Sequence, residues 1–192
     1  MPNGPLDTTL LDRAIIFAVK AHAGTERRGK GFPYIVHPLE AMEIVATITP
    51  DQELLAAAVL HDTVEDTGVT LDMIREEFGA RVAGLVAAES SIIAEETNEE
   101  RNWYARKKLT LDRLSCASLE EKIVALGDKL SNMRAISRDY AEKGDALWNL
   151  FHSKNPEDHE WYYRGLEDSL RDLKDTYAFQ EFEMLVDKVF SR

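Results

Sequence analysis

Apolar residues recur along this chain at intervals of three and four, and no stretch alternates with period two for long. That spacing predicts helices from end to end. In "LLDRAIIFAVKAHAG", Leu11, Ile15, Ala18 and His22 share one face, with Thr8 or Thr9 ahead of it and Gly24 closing it. "HPLEAMEIVATI" opens with Pro38, whose missing N–H is harmless in a first helical turn. Pro50 and Asp51 start a helix read through "DQELLAAAVLHDTVED", and Thr70 and Gly79 bound "TLDMIREEF". "ARVAGLVAAESSII" is the next helix, ending at the acidic break "AEETNEE", after which "ERNWYARKKLTLDRL" resumes.

Ser118 and Glu121 form a capping-box pattern at the head of "LEEKIVALGDKLSNMRAISRDY". "LWNLFHSKNPED" is a corner, Asn155–Pro156 a cap and first turn, and two amphipathic helices over 155–192 are expected to pack on the core. The expected architecture is all-α: a single domain over 1–192 with a loose lead-in over 1–8.

Composition changes this picture little. At 192 residues, 44% apolar and 30% charged, the chain suits one globular core. The net charge of −12 argues against a nucleic-acid partner, since such proteins need a broad basic surface. A small phosphorylated ligand held by a few local cations stays compatible. A single cysteine, Cys116, allows no intrachain disulfide, and no apolar run is long enough to cross a membrane. No basic–apolar leader pattern occurs, so a cytoplasmic location is expected.

One stretch breaks the ordinary pattern. "AVLHDTVEDT" runs an apolar helix straight into His61, Asp62, Glu65 and Asp66. Buried charge without a partner is costly, so either these groups face water or a cation sits among them. His61 and Asp62 are about 100° apart on a helix and meet at one point only where its end opens into a cleft. His37, at the mouth of a helix, and Asp128, after an apolar helical run, have similar settings. Two imidazoles and two carboxylates suit a divalent ion such as Mn, Fe or Zn. Each of the four can equally be a structural residue, a buried histidine or a capping aspartate. Glu65 and Asp66 lie one turn beyond His61 and Asp62. They can take a proton from a metal's water, or simply cap a solvated acidic loop.

In a chain this acidic, "ERRGKGFPYIVHP" stands out for Arg27, Arg28 and Lys30, with Gly29 and Gly31 permitting close backbone approach to a ligand. Arginine offers phosphate oxygens paired donors and a flat face to a base. Arg106, Lys107 and Lys108 form a second cluster, and Asn132 and Arg134 follow Asp128. Lys30 and Lys108 read as surface charges. His22 and His159 read as packing residues, His22 as a satisfied core histidine or one standing behind the site, and with His152 they stay outside the proposed site. Of Trp161, Tyr162 and Tyr163, at least two are expected in the core.

In this order, "RRGKGFPYIVHP", "AAAVLHDTVEDTGVT", "WYARKKLTLDRL" and "EEKIVALGDKLSNMRAI" resemble the metal-dependent HD-domain hydrolases of the Rel/Spo family, and in particular the small kind that degrades (p)ppGpp. The likeness runs over roughly 10–190. It implies an HD-domain helical bundle with one Mn²⁺ on His37, His61, Asp62 and Asp128, and Glu65 and Asp66 activating the attacking water. It implies a small nucleotide substrate whose base stacks on Arg27, with Arg28 where the family usually has lysine. Asn132 would sit near the nucleotide's 3′ phosphates, and Arg134 would be a neighbouring structural or phosphate-facing arginine. The implied reaction releases pyrophosphate and leaves GDP or GTP, and a chain of this length is expected to degrade the alarmone and not make it. "SIIAEETNEE" departs from the family by lacking the usual lysine, with Arg106 and Lys107 as candidates to take its place on the 5′ phosphates. Two other readings remain: a phosphohydrolase for an adenine alarmone or NADPH, and a nucleotide sensor without turnover.

Overall fold

A computed structural model describes residues 6–90 and 99–191, with backbone alone over 99–102. All regular structure among the described residues is helical, as the apolar spacing predicts. Its helices are α1 (Thr9–Ala21), α2 (Val36–Ala46), α3 (Gln52–Leu60), α4 (Thr63–Asp66), α5 (Leu71–Phe78) and α6 (Ala80–Glu89). After them come α7 (Glu99–Ser115), α8 (Leu119–Lys143), α9 (Pro156–Ser169) and α10 (Tyr177–Phe190). Of the lead-in, 1–5 lie outside the described residues, and Leu6 and Asp7 are exposed. Residues 91–98, with most of the acidic break, lie outside them too, and its last two residues, Glu99 and Glu100, begin α7.

The bundle is built around α3. Every residue from Leu54 to Leu60 is buried, and its alanines let α1, α2, α6 and α8 approach closely. The 25-residue α8 crosses beside it, started by a complete Ser118–Glu121 capping box. Where α8 passes α2, Gly127 leaves no room for a side chain: a Cβ there would lie 2.7 Å from the Ala41 carbonyl oxygen. That contact holds Asp128, the next residue on α8, against the helix that carries His37. α10 packs against α8 and α9, and α9 against α7.

The helix read through 52–66 is broken in the middle. His61 Nδ1 donates to the Ala58 carbonyl at 2.8 Å, and Thr63 Oγ1 donates to that of Leu60 at 2.7 Å. Side chains thus satisfy carbonyls that a continuing helix would have used, and α3 stops at Leu60. The chain then restarts as the single turn α4, leaving His61 and Asp62 at the junction.

Between α1 and α2 the loop folds back on itself. Arg27 N–H donates to Phe32 O, Tyr34 N–H to Thr25 O, and Glu26 bridges Pro33. Gly29 and Gly31 sit at φ near +71°, a backbone region that side chains disfavour, so their role here is to make the turn.

Candidate metal centre and cleft

Three helices deliver ligand atoms to one point. His37 comes from the first turn of α2, His61 from the end of α3, and Asp128 from the middle of α8, all buried. Their donor atoms lie within 4.8 Å of one another. His37 Nε2 is 3.1 Å from Asp128 Oδ1, and His61 Nε2 is 3.6 Å from the same oxygen. Asp62 faces the same point, its Oδ2 2.9 Å from His61 Nε2 and 3.5 Å from His37 Nε2.

The hydrogen bonds behind these rings show what the centre requires. With His61 Nδ1–H given to a carbonyl, Nε2 of the neutral ring carries a lone pair, and this buried atom has no hydrogen-bond partner among the described residues. His37 Nδ1 lies 2.8 Å from Ser131 Oγ, so its Nε2 also points inward. Two lone-pair nitrogens and two carboxylates aimed at one another make a stable arrangement only around positive charge. A divalent cation meets that need and fits this N/O donor set. Without it a proton substitutes. Burial alone would depress His61, but the carboxylates of Asp62 and Asp128 outweigh it and raise its pKa well above the usual value. Burial likewise pushes Asp128 up, and Lys129, His37 and His61 more than reverse it.

The centre forms the floor of a cleft of about 810 Å³. Glu65 and Asp66, on α4, are exposed and line it beside His61 and Asp62. Arg27 lines it from the loop, its guanidinium 5.2 Å from the Tyr34 ring centre and donating to Asn132 Oδ1 at 2.5 Å. Asn132 in turn donates to Asp128 Oδ1 at 2.5 Å. Arg106 and Lys107 line the opposite wall on α7. Burial, with Lys129 and Arg106 close by, pushes the Lys107 ammonium down to about 8, and its Nζ lies 4.5 Å from the Tyr162 ring centre.

Two expected contact residues stand apart from the cleft. Arg28 is exposed on the tight turn and does not line it. Arg134 is held away from it between α2 and α10, donating twice to Glu181 at 2.7 Å and to Glu40 at 3.3 Å. Carboxylate partners already occupy its donors.

Residues 14–156 match the family described as HD domain. The chain belongs to that family. This HD domain is 39% identical over 128 residues to human guanosine-3′,5′-bis(diphosphate) 3′-pyrophosphohydrolase MESH1, covering 64% of this chain and 66% of that protein. It is 37% identical over 131 residues to the guanosine-3′,5′-bis(diphosphate) 3′-pyrophosphohydrolase of Aquifex aeolicus, covering 66% of this chain but 18% of that one. The chain therefore spans less than a fifth of the Aquifex protein's length.

The fold superposes on a metazoan ortholog of SpoT, described as hydrolyzing ppGpp, with a TM-score of 0.73 at 22% identity over 98% of this chain and 97% of that one. A Listeria monocytogenes crystal structure gives 0.69 at 29% identity, covering 81% of this chain and 99% of that one. The chain is a small HD-domain protein related to the MESH1 and SpoT (p)ppGpp 3′-pyrophosphohydrolases, as the sequence resemblance implied.

Sequence reasoning missed several residues that shape this HD domain's centre. Tyr34 donates its hydroxyl to Asp62 Oδ2 at 2.5 Å, and burial beside that carboxylate raises the phenol's pKa. Lys129, partly buried, bridges Asp128 at 2.5 Å and Glu89 at 3.2 Å. A lysine inside the apolar run next to Asp128 was the available signal. His22 is buried, and neither ring nitrogen has a partner among the described residues, which leaves the position behind the site as the one of its two expected settings that fits. It packs against Tyr34, ring centres 4.9 Å apart. His159 donates to Ser153 O at 2.9 Å within a cluster of Trp103, Trp148 and Phe151. Tyr162 and Tyr163 are buried, and Tyr162 also reaches the cleft wall.

Proposed function

We propose that this HD domain is a divalent-metal-dependent 3′-pyrophosphohydrolase that converts ppGpp or pppGpp and water to GDP or GTP and pyrophosphate. The observation that carries the reading is the convergence of His37, His61, Asp62 and Asp128 beneath a cleft lined by both carboxylates and cations. The activity of the human and Aquifex relatives supports the choice of substrate.

In this account the four residues would hold one Mn²⁺ ion, which would supply the Lewis acidity that activates a water near neutral pH. Glu65 and Asp66, on the turn that directly follows Asp62, orient that water and take its proton. Water oxygen bonds to the phosphorus attached to the ribose 3′ oxygen, and the bond from that phosphorus to the 3′ oxygen breaks. The leaving oxygen gains a proton, and pyrophosphate departs with the oxygen from water. Arg27 presents its flat face to the base while Tyr34 and Asn132 hold it. Asn132 also steadies Asp128. Arg106 and Lys107 meet the phosphates from the opposite wall, where a buried ammonium gains most from an anionic partner.

A substrate panel tests the assignment. With Mn²⁺ supplied, kcat/KM for ppGpp or pppGpp should exceed that for an adenine alarmone and for NADPH by at least about tenfold. A preference for either non-guanine compound would replace this substrate with that one. Nucleotide bound in the presence of Mn²⁺ but left intact would make the protein a sensor.

A further inference from the structure

Behind His37 a chain of polar contacts runs through the bundle to its last helix. Glu40 lies one turn after His37 on α2, and Ser131 one turn after Asp128 on α8. Ser131 Oγ donates to Glu40 Oε2 at 2.7 Å and lies 2.8 Å from His37 Nδ1. Glu40 is held in turn by Nη1 of Arg134, whose Nε and Nη2 are anchored on Glu181 of α10.

Proton accounting gives this chain a direction. An ionised carboxylate only accepts, and a serine hydroxyl has a single proton. With that proton on the bond to Glu40, Ser131 can only accept from His37. Nδ1 is then the protonated nitrogen, and Nε2, 3.1 Å from Asp128 Oδ1, presents a lone pair to the centre. Ser131 and His37 are both buried, which shields the bond between them. His61 reaches the same tautomer by the simpler route of a backbone carbonyl.

We propose that Ser131 and Glu40 are positioning residues that fix the ligating tautomer and ring orientation of His37, and that Arg134 and Glu181 hold Glu40 in place for that task. The inference rests on the metal reading of the centre given above. It assigns Arg134 to metal retention and not to phosphate binding. Groups that orient a metal-binding imidazole typically change metal affinity 10- to 100-fold when removed.

The test is Mn²⁺ affinity by calorimetry on the purified full chain, with thermal melts confirming that each variant is folded. Ser131→Ala and Glu40→Ala should each weaken Mn²⁺ binding by about tenfold or more. Because the two act in series, the double variant should be within about threefold of the weaker single one, where independent residues would multiply. Arg134→Met should weaken Mn²⁺ binding in the same direction, with the nucleotide KM at saturating Mn²⁺ close to wild type.

Folded variants that bind Mn²⁺ within twofold of wild type, or single effects that multiply, would overturn the relay alone. An Arg134→Met protein with unchanged Mn²⁺ affinity and a raised KM would return Arg134 to the substrate. A wild-type chain that takes up no Mn²⁺ would remove the metal reading itself, and the relay with it.

Discussion

At the scale of the residue, the cleft contrasts two kinds of buried cation. Lys129 is bonded to Asp128 and Glu89, which hold its pKa well above the usual value despite burial. Lys107 touches an aromatic face, and burial dominates, bringing it down to about 8. Such a group gains its charge below about pH 8 and loses it above. If Lys107 meets the phosphates, kcat/KM for the nucleotide should fall as pH rises from 7 to 9, with an apparent pKa near 8 that belongs to the free protein. Lys107→Met should lower kcat/KM already at pH 7 and abolish that limb of the profile. An unchanged limb would assign the titration to another group. Arginine cannot titrate in this range, so the expected difference between Lys107 and Arg106 is itself informative.

At the scale of the element, the signals that set helix ends were legible wherever they were local. The caps at Thr70, Ser118 and Asn155 and the stop at Gly79 all act within a few residues of one another. The break at His61–Asp62 was not legible as a helix end. It depends on His61 and Thr63 turning back onto α3 carbonyls, and apolar periodicity carries no trace of that choice. Arg28 and Arg27 are adjacent and chemically alike, and only the turn around Gly29 and Gly31 separates a cleft residue from an exposed one.

The close crossing of α2 and α8 was invisible for the same reason, since Gly127 looks in sequence like an ordinary weak point in a helix. Gly127→Ala should gain about 1 kcal/mol of helix propensity but lose about 1–3 kcal/mol to overpacking, because the new Cβ meets backbone. Urea denaturation should show net destabilisation, and Mn²⁺ affinity should fall with it as Asp128 is pushed from His37. Gly165→Ala makes an equally short contact, but with the side-chain tip of Leu111, which can yield. It should be close to neutral, and equal costs for the two variants would contradict this packing argument.

At the scale of the whole molecule, the all-helical fold and its family were readable because motif order survives wherever the helices travel. His37 and Asp128 lie 91 positions apart in the sequence and 3.1 Å apart in space, and only the assembled bundle shows that proximity. The polar chain from His37 to Glu181 crosses α2, α8 and α10, so no single segment carried its signature. A metal at this centre ties α2, α3 and α8 together and should stabilise the entire bundle. At about one hundredfold excess over its Kd, Mn²⁺ should add about 2.7 kcal/mol. For a chain of this size that raises Tm by about 5–10 °C, reversed by EDTA. Among the described residues no helix is long and apolar enough to cross a membrane.

The most direct test of the central claim is product analysis of purified protein with ppGpp and Mn²⁺, beside a Glu65→Ala/Asp66→Ala control that still binds Mn²⁺. The account predicts GDP and pyrophosphate in equal amounts from the wild-type chain, at least about 100-fold faster than from the control. Wild-type turnover no faster than the control's, or release of phosphate in place of pyrophosphate, would contradict it.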